Sequence, residues 1–428
     1  MAAFFHKPSV MRLRESGERE ATVLEHDTIR LLIDDIGGMI PEFSYIQNGC
    51  RINAHWLPWF RSNSRDEYQD AEHGFFWKSK LLYHIAGNFP CAPNFGPGHV
   101  IEGIHIPPHG WTANLPWKFL GSGVDPASGA AWAVSSMESP EKAMPLSFKK
   151  IDLILPEEPV HYSSLEISNR GIRNLEICTG WHNTLGAPFL QRGCRISGAA
   201  KIWQTPPLGG EFDTTSRLIL GSDFSSLEEA PLARGGTVDL SQVPEPVGYT
   251  DFVSGLIPAY TRLGWSALVN PSLKLAYICF FTGPKAAAED DIILRFNDLW
   301  MQYGGRPFTP WAPYEGGTDL SYCLGTENAA AAYTYGLEYS RRVREVMGAP
   351  TTVLIPALGK KTLRYGVLFA PYENHTLDEG IISIEAQEAA LICKGKHAIQ
   401  QYHADPGFTV LKKIQTADAT APRSGASR

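Results

Sequence analysis

Long apolar runs and dense charge are both missing from this sequence. Asp, Glu, Lys and Arg make up only 19% of its 428 residues. No stretch approaches the roughly 18 apolar residues of a membrane-spanning helix. The start of the chain, Met1 to Pro8, lacks the apolar run behind a basic end that marks a signal peptide. We therefore expect a cytoplasmic protein with no membrane partner.

Clusters of basic residues are also absent. The formal net charge is −7 at pH 7, and Lys and Arg do not gather in any one segment. A polyanion would find little attraction on such a surface, so we expect no nucleic-acid partner. The sequence does not indicate an oligomeric state.

Paired cysteines and cofactor motifs are missing as well. The seven cysteines show no CxxC spacing, which argues against a disulfide framework or a zinc site. Most are expected to be buried thiols, and Cys323 is of interest because it lies close to Glu327. Glu102, His105 and His109 are near one another, but their spacing does not place them on one face of a strand, so no metal is predicted. No phosphate-binding loop, dinucleotide glycine motif or serine nucleophile elbow lies in a suitable setting, and no cofactor is expected.

Glycine and proline, by contrast, are abundant. The 40 Gly and 31 Pro predict frequent turns, and the alternating runs at 21–34 and 163–182 predict antiparallel hairpins. Only residues 379–398 are predicted to form a sizeable helix. The predicted class is mainly β, with a single domain at 21–415, an N-terminal lead at 1–20 and a disordered tail at 416–428.

Three separated segments contain the residues best suited to chemistry: PHGWTANLPW at 108–117, WHNT at 181–184 and CLGTEN at 323–328. They supply two imidazoles, His109 and His182, and one carboxylate, Glu327. These groups can act as acid and base only if the fold brings them into one pocket. Each also has a structural interpretation, His109 as a loop histidine bonded to backbone and Glu327 as a solvated or capping residue. Glu315 is the nearest competitor of Glu327 and a further candidate substrate contact.

Four features in this order resemble the galactose mutarotase (aldose 1-epimerase) superfamily. They are the Gly37-Gly38 hairpin, the segment from His109 to Trp117, the Asn169-Arg170-Gly171 turn before His182, and the segment from Leu324 to Glu327. Their order and rough spacing match that family over about residues 20–372. The resemblance implies a large antiparallel β-sandwich, the supersandwich, with few short helices and a sugar-binding cleft on one concave face.

The resemblance also implies roles for individual residues. His109 would contact sugar hydroxyls, His182 would be the acid that protonates the ring oxygen, and Glu327 would be the base for the anomeric hydroxyl. Asp251 is the candidate for a carboxylate that contacts sugar hydroxyls, with Asp213 as its rival. The implied partner is a small-molecule carbohydrate, and the implied activity is that of an isomerase that needs no cofactor.

The chain departs from the family before the first histidine. The family commonly has an arginine there, but the corresponding segment, Phe89 to Gly96, has none, and Asn94 in it is a candidate substrate contact. The substrate could therefore be an aldose or an aldose derivative. Two alternatives stay open: another sugar reaction, such as C–O bond cleavage or epimerisation at a different carbon, and a carbohydrate-binding protein without catalysis.

The residue types suit the implied reaction. Ring opening of an aldopyranose removes a proton from the anomeric hydroxyl and delivers one to the ring oxygen, so a carboxylate beside a protonated imidazole supplies both transfers. Each charge favours the other, so mutual stabilisation of ionised Glu327 and protonated His182 is predicted. Trp111, Trp181 or Trp311 could stack on the apolar face of the sugar.

Overall fold

Antiparallel hairpins follow one another along the chain. The structure is a computed structural model that describes residues 7–13, 20–47, 49–62, 67–210, 216–246 and 248–420. The elements of its first half are β1 (Ser9–Leu13), β2 (Ala21–Glu25), β3 (Ile29–Asp34), β4 (Glu42–Gln47), β5 (Cys50–Asn53), α1 (Asp70–Trp77), α2 (Lys80–His84), β6 (Asn88–Cys91), β7 (His99–Ile101), β8 (Ile104–Ile106), β9 (Lys118–Val124), β10 (Ala131–Glu138), β11 (Leu146–Ile154), β12 (Val160–Asn169), β13 (Leu175–Ile177), β14 (Thr179–Leu185), β15 (Arg195–Gly198) and β16 (Ile202–Gln204).

The second half continues in the same way, with one short 3₁₀ helix at Leu227–Glu229 among the described residues. Its elements are β17 (Asp223–Phe224), β18 (Ala230–Pro231), β19 (Thr237–Val238), β20 (Tyr249–Leu256), β21 (Leu263–Asn270), β22 (Leu275–Thr282), β23 (Phe296–Tyr303), β24 (Tyr322–Ala330), α3 (Gly336–Val343), β25 (Glu345–Val346), β26 (Ala349–Pro350), β27 (Val353–Ile355), β28 (Lys360–Pro371), β29 (Ser383–Gln387), β30 (Ala390–Lys394), β31 (Ile399–His403) and α4 (Thr409–Thr420).

Two large antiparallel sheets dominate the described chain. The sheet that we call the site sheet has the strand order β17-β16-β20-β23-β24-β14-β6, and the facing sheet has the order β15-β21-β22-β28-β12-β11-β10-β9. Side chains pack between them, as where the Trp181 ring of β14 stacks on the Tyr365 ring of β28 with 5.1 Å between centroids. The prediction of a mainly β protein, a large antiparallel sandwich with few short helices, is confirmed.

Strands β14 and β24 are neighbours inside the site sheet, and both are buried along nearly their whole length. Successive side chains of a strand point to opposite faces of its sheet. Every second residue of β14 and β24 therefore packs against the facing sheet, and the residues between them are presented on the opposite face. This alternation decides which residues of the predicted segments reach a cavity.

The predicted helix at 379–398 is wrong. This region contains β29 and β30, which form a three-stranded antiparallel sheet with the following strand β31 within the described residues. Alternate residues Leu391 and Cys393 of β30 are fully buried, as is expected of a strand with one face on a core. The Glu, Ala and Gln residues here favour helix only weakly as isolated residues, and this burial outweighs that preference.

Regular structure lies on both sides of each predicted domain limit. β1 lies within the predicted lead at 1–20 and pairs with β2, which places it in the N-terminal sheet with order β1-β2-β3-β4-β5. Residues 1–6 and 14–19 lie outside the described residues. The predicted limit at 416 falls inside α4, and residues 421–428 of the predicted tail also lie outside the described residues.

Gly366 of β28 makes room for an aromatic ring from the neighbouring strand. A Cβ at this position would lie 2.2 Å from Cζ of Phe280, whose ring stacks at 5.7 Å on the ring of Phe408, the residue just before α4. We expect Gly366→Ala to displace this ring and to lower the free energy of unfolding by about 1–3 kcal/mol. Urea unfolding followed by fluorescence measures the change. Gly121→Ala is the matched control, because nothing lies within 4 Å of a Cβ there; equal stability losses in the two variants would contradict the packing argument.

Candidate functional site

A cavity of about 220 Å³ lies on the face of the site sheet that points away from the facing sheet. Its walls come from α2, the turn around His109, the loop before β17, and the segment that follows β23. The polar side chains that matter for chemistry are His109, His182, Asp251, Arg306 and Glu327, and the aromatic ones are Trp300 and Trp311. The cavity therefore brings together the two histidines and the glutamate of the three sequence segments.

His182 and Glu327 are in direct contact. The register of β14 against β24 pairs Trp181 with Asn328 and Thr184 with Gly325, which places His182 opposite Glu327. Side chains that lie opposite one another in antiparallel strands point to the same face. The His182 Nε2 atom lies 3.2 Å from Glu327 Oε1, and the two side chains are only 5% and 2% exposed.

The imidazole of His182 is held from both sides. The Phe89 ring stacks on it at 4.5 Å with an angle of 13° between the planes, and Thr184 Oγ1 lies 2.9 Å from Nδ1. A neutral ring that carries its proton on Nε2 can accept a hydrogen bond from the Thr184 hydroxyl at Nδ1, and its Nε2 is in contact with the Glu327 carboxylate. Both ring nitrogens thus have a polar neighbour without a positive charge on the ring.

Burial lowers the pKa of His182 well below its ordinary value, and nearby His109 lowers it further. The predicted mutual stabilisation of a charged Glu327–His182 pair is therefore wrong for the unliganded protein. The cost of removing the imidazolium from water is the largest cause of this shift. His182 is neutral at pH 7 when the cavity is empty of substrate.

His109 is fixed by a turn of unusual backbone conformation. Its φ angle is +56°, and its N–H donates to the Gly96 carbonyl at 2.8 Å. The ring lies edge-on to the His182 ring, with 4.9 Å between centroids, and its Nδ1 is 3.6 Å from the Cys91 thiol. Burial lowers the pKa of His109 to about 4, so this imidazole is also neutral near pH 7.

Asp251 reaches the cavity from β20 and already has a cationic partner. Arg217 donates to its carboxylate from Nε at 2.9 Å and from a terminal nitrogen at 2.6 Å, and it lies 4.2 Å from the centroid of the Tyr249 ring. The charge of Asp251 is thus balanced, while a carboxylate has further acceptor positions for hydroxyls. Its rival Asp213 lies outside the described residues.

Four predicted substrate contacts lie away from the cavity lining. The Asn94 amide is fully buried and bonds the backbone of Leu337 and Pro97 at 2.7 and 2.8 Å. Trp181 is fully buried between the sheets because it neighbours His182 on a strand and points the opposite way. Trp111 is a buried core residue. Glu315 is not a lining residue, but it is bonded to Thr309 and to Lys78, which does line the cavity. Trp311, by contrast, lines the cavity.

Arg306 is a lining residue that the sequence did not indicate. It follows β23 in a Gly304-Gly305-Arg306 turn, and that glycine-rich strand end was the available signal. Its guanidinium carbon lies 4.6 Å from the Trp311 ring centroid and 5.4 Å from that of Trp300, in the geometry of cation–π contacts. Arg306 provides a cation next to the cavity, although the segment from Phe89 to Gly96 has none.

A buried carboxyl lies beside Glu327 in the site sheet. Asp298 of β23 is the cross-strand neighbour of Glu327, and its Oδ1 accepts a hydrogen bond from the Ser254 hydroxyl. Burial raises the pKa of Asp298 to about 7. The Asp298 carboxyl is therefore more readily protonated than an ordinary aspartate, which limits the negative charge next to Glu327.

A second hollow, of about 490 Å³, lies between the β7–β8 hairpin and the end of α3. Its charged lining residues are Arg173, Arg341, Arg344, Glu102 and Glu176, so cations and carboxylates nearly balance. Glu102, His105 and His109 were considered as possible metal ligands, and of these only His109 lines the first cavity. Among the described residues, no group of three or more His, Cys, Asp or Glu side chains is placed to hold a metal ion.

The helices within the described ranges include none with the length and apolarity that crossing a membrane requires.

No protein-family model matches the sequence. No curated protein matches it either.

Solved structures do match the fold. A candidate aldose 1-epimerase from Klebsiella pneumoniae is 11% identical, with a TM-score of 0.59 over 85% of this chain and 87% of its own. A galactose mutarotase-like protein from Clostridium acetobutylicum is also 11% identical, with a TM-score of 0.54 over 86% of this chain and 99% of its own. A candidate mutarotase from Salmonella typhimurium is 12% identical, with a TM-score of 0.52 over 85% and 94%. At these identities the likeness is one of fold: the chain has the galactose mutarotase-like sandwich.

Proposed function

We propose that this protein is an isomerase that interconverts the anomers of an aldose or an aldose derivative by opening and closing the sugar ring. The observation that carries the proposal is the 3.2 Å contact between His182 Nε2 and Glu327 Oε1 within a cavity that His109 also lines. The sugar-related names of the proteins that share the fold support the same conclusion. No step of this reaction requires a cofactor.

Glu327 acts as the base in this proposal. The anomeric oxygen and the ring oxygen of a pyranose are bonded to the same carbon, so two protein groups that lie next to each other can serve both. Glu327 takes the proton of the anomeric hydroxyl while the bond between the anomeric carbon and the ring oxygen breaks. The ring oxygen takes a proton from His182 Nε2, and closure on the other face of the carbonyl reverses both transfers.

The neutral state of His182 adds a requirement to this mechanism. An imidazole that gives up a proton as a general acid has to be protonated first, but burial keeps His182 neutral in the unliganded protein. Binding of the sugar must therefore bring one proton to the pair. His109, Asp251 and Arg306 supply hydrogen-bonding groups around the remaining hydroxyls, and Trp300 and Trp311 supply apolar ring surface.

Polarimetry on freshly dissolved α-aldoses tests the proposal. We expect the protein to accelerate the approach to the equilibrium rotation for at least one sugar in a panel that includes neutral, phosphorylated and carboxylated aldoses. The value of kcat/KM should fall as the pH rises on the alkaline side, because the proton that binding requires becomes scarce. The proposal would be contradicted if the protein accelerated the anomer exchange of no sugar at concentrations where calorimetry detects sugar binding.

A carbohydrate-binding protein without catalysis is the second candidate. The lowered pKa of His182 favours it, since a neutral imidazole can exchange hydrogen bonds with hydroxyls without any proton transfer. The two candidates differ in one measurement. A binding protein retains sugar affinity but leaves the rate of anomer exchange at its value in buffer.

A further inference from the structure

Buried polar side chains lie directly behind the acid–base pair. His182 and Glu327 point into the cavity, whereas Asn183 and Asn328, which follow them in the chain, point toward the facing sheet. Both asparagines are fully buried. An amide in such a place has to be hydrogen-bonded, because an unpaired polar group costs free energy when it leaves water.

A single hydroxyl from the facing sheet joins these two asparagines. The Asn183 side-chain amide donates to the hydroxyl oxygen of Tyr365, and the Tyr365 hydroxyl donates to Asn328 Oδ1. Asn183 belongs to β14 and Asn328 to β24, so the hydroxyl connects the strand of His182 with the strand of Glu327. Burial raises the pKa of the Tyr365 phenol well above its ordinary value, so the hydroxyl keeps its proton.

The Tyr365 ring has little freedom to move. It stacks on Trp181 at 5.1 Å with 13° between the planes, and on Phe281 at 5.8 Å with 6°. Tyr365 itself is fully buried in the middle of β28. The hydroxyl is therefore a fixed point on one sheet against which two strands of the other sheet are held.

We propose that Tyr365 is a positioning residue for the acid–base pair, because its hydroxyl fixes β14 and β24 at the relative position where His182 meets Glu327. The proposal rests on the proposed function for its kinetic consequence, although the geometry stands without it. A displacement of about 1 Å between catalytic groups can cost up to about 100-fold in rate. Loss of one of the hydrogen bonds that set this position should therefore slow the chemical step more than it weakens binding.

Tyr365→Phe tests the proposal, with Tyr277→Phe as a matched control. Tyr277 is also fully buried on the facing sheet, and its hydroxyl contacts Asn183 at 3.2 Å and His55 at 2.9 Å but not the strand of Glu327. We expect Tyr365→Phe to lower kcat by about 10-fold with KM changed by less than about twofold. Tyr277→Phe should lose a similar amount of thermal stability but less than about twofold of kcat. Equal kcat losses in the two variants, or none in Tyr365→Phe, would overturn the proposal.

A second readout does not depend on activity. In protein labelled with ¹⁵N at histidine, the Nε2–H of His182 should give a slowly exchanging NMR signal in the wild type and in Tyr277→Phe, and a broadened or shifted one in Tyr365→Phe. If the wild type accelerates no sugar but its signal is broadened or shifted in Tyr365→Phe, the proposed function fails while the positioning role stands. If the signal is unchanged in Tyr365→Phe, the positioning role fails whatever the activity. Should Tyr365→Phe not fold, Asn328→Ala removes the β24 end of the bridge and is expected to give the same kinetic and NMR pattern; an unchanged pattern would overturn the proposal.

Discussion

Glu327→Gln should slow anomer exchange by about 10²- to 10⁴-fold, the range typical of losing a general base. Glutamine has nearly the same shape and can still contact His182 Nε2, but its amide oxygen does not take a proton near neutral pH. The position lies in the interior of β24 and is only 1% exposed, so an isosteric change should leave the strand in place. Polarimetry, or exchange NMR between the anomers, measures the rate directly, and circular dichroism checks the fold.

Glu158→Gln is the matched control for this variant. Glu158 is also a buried carboxyl. It accepts a hydrogen bond from Tyr162 of β12 in the facing sheet, and it is not among the residues that line the cavity. The same chemical change there should alter the exchange rate by less than about twofold. If Glu327→Gln keeps more than half of the wild-type rate, Glu327 is not the base and a binding function gains support.

Lowering the pH from 7.5 to 5 should reduce the free energy of unfolding by about 4 kcal/mol through two histidines alone. Burial lowers the pKa of His55 to about 3 and that of His109 to about 4. In the unfolded chain both titrate near the ordinary value of about 6.5. Their contribution to stability is therefore complete above pH 6.5 and is lost as the pH falls, because the unfolded state binds protons that the folded state excludes. At pH 5 this amounts to about 2 kcal/mol for each residue.

Urea unfolding at the two pH values measures this loss. His55 is the better probe, since it lies outside the cavity, where its Nδ1 faces the Ile40 carbonyl at 2.6 Å and its Nε2 faces the Tyr277 hydroxyl at 2.9 Å. His55→Gln should reduce the pH-dependent change by about 2 kcal/mol, while His397→Gln, on the surface, should leave it intact. A free energy of unfolding that stays constant between pH 7.5 and 5 would show that these histidines do not exclude protons in the folded state.

The sequence was informative where chain neighbours determine the outcome. Alternation along WHNT and CLGTEN is a local property, and it places His182 and Glu327 on one face once the two strands pair. The structure also brings His109 and Asp251 to the same cavity. Their catalytic and binding roles stay predictions.

Other features depend on contacts that no short segment encodes. Trp181 was expected near the sugar, but its direction follows from which face of β14 meets the facing sheet. The neutral state of His182 follows from its burial, including the stack on Phe89, and Arg306 reaches the cavity only through the path of the chain after β23. Residues 379–398 are a further example: their composition favours a helix, but pairing in a small sheet determines the structure that they form.

His182 and Glu327, the proposed acid and base, lie on adjacent strands that enter the sheet from distant parts of the chain, and the surface loop at 285–290 separates them in sequence. A chain cut in that loop would yield two fragments, each with half of the acid–base pair and each unable to open a sugar ring alone. β-sheet hydrogen bonding, packed aromatic rings and ion pairs such as Lys274–Asp378 would hold them together. Turnover of a sugar would then report the reassociation of the two fragments, which makes this molecule a natural starting point for a split-enzyme sensor.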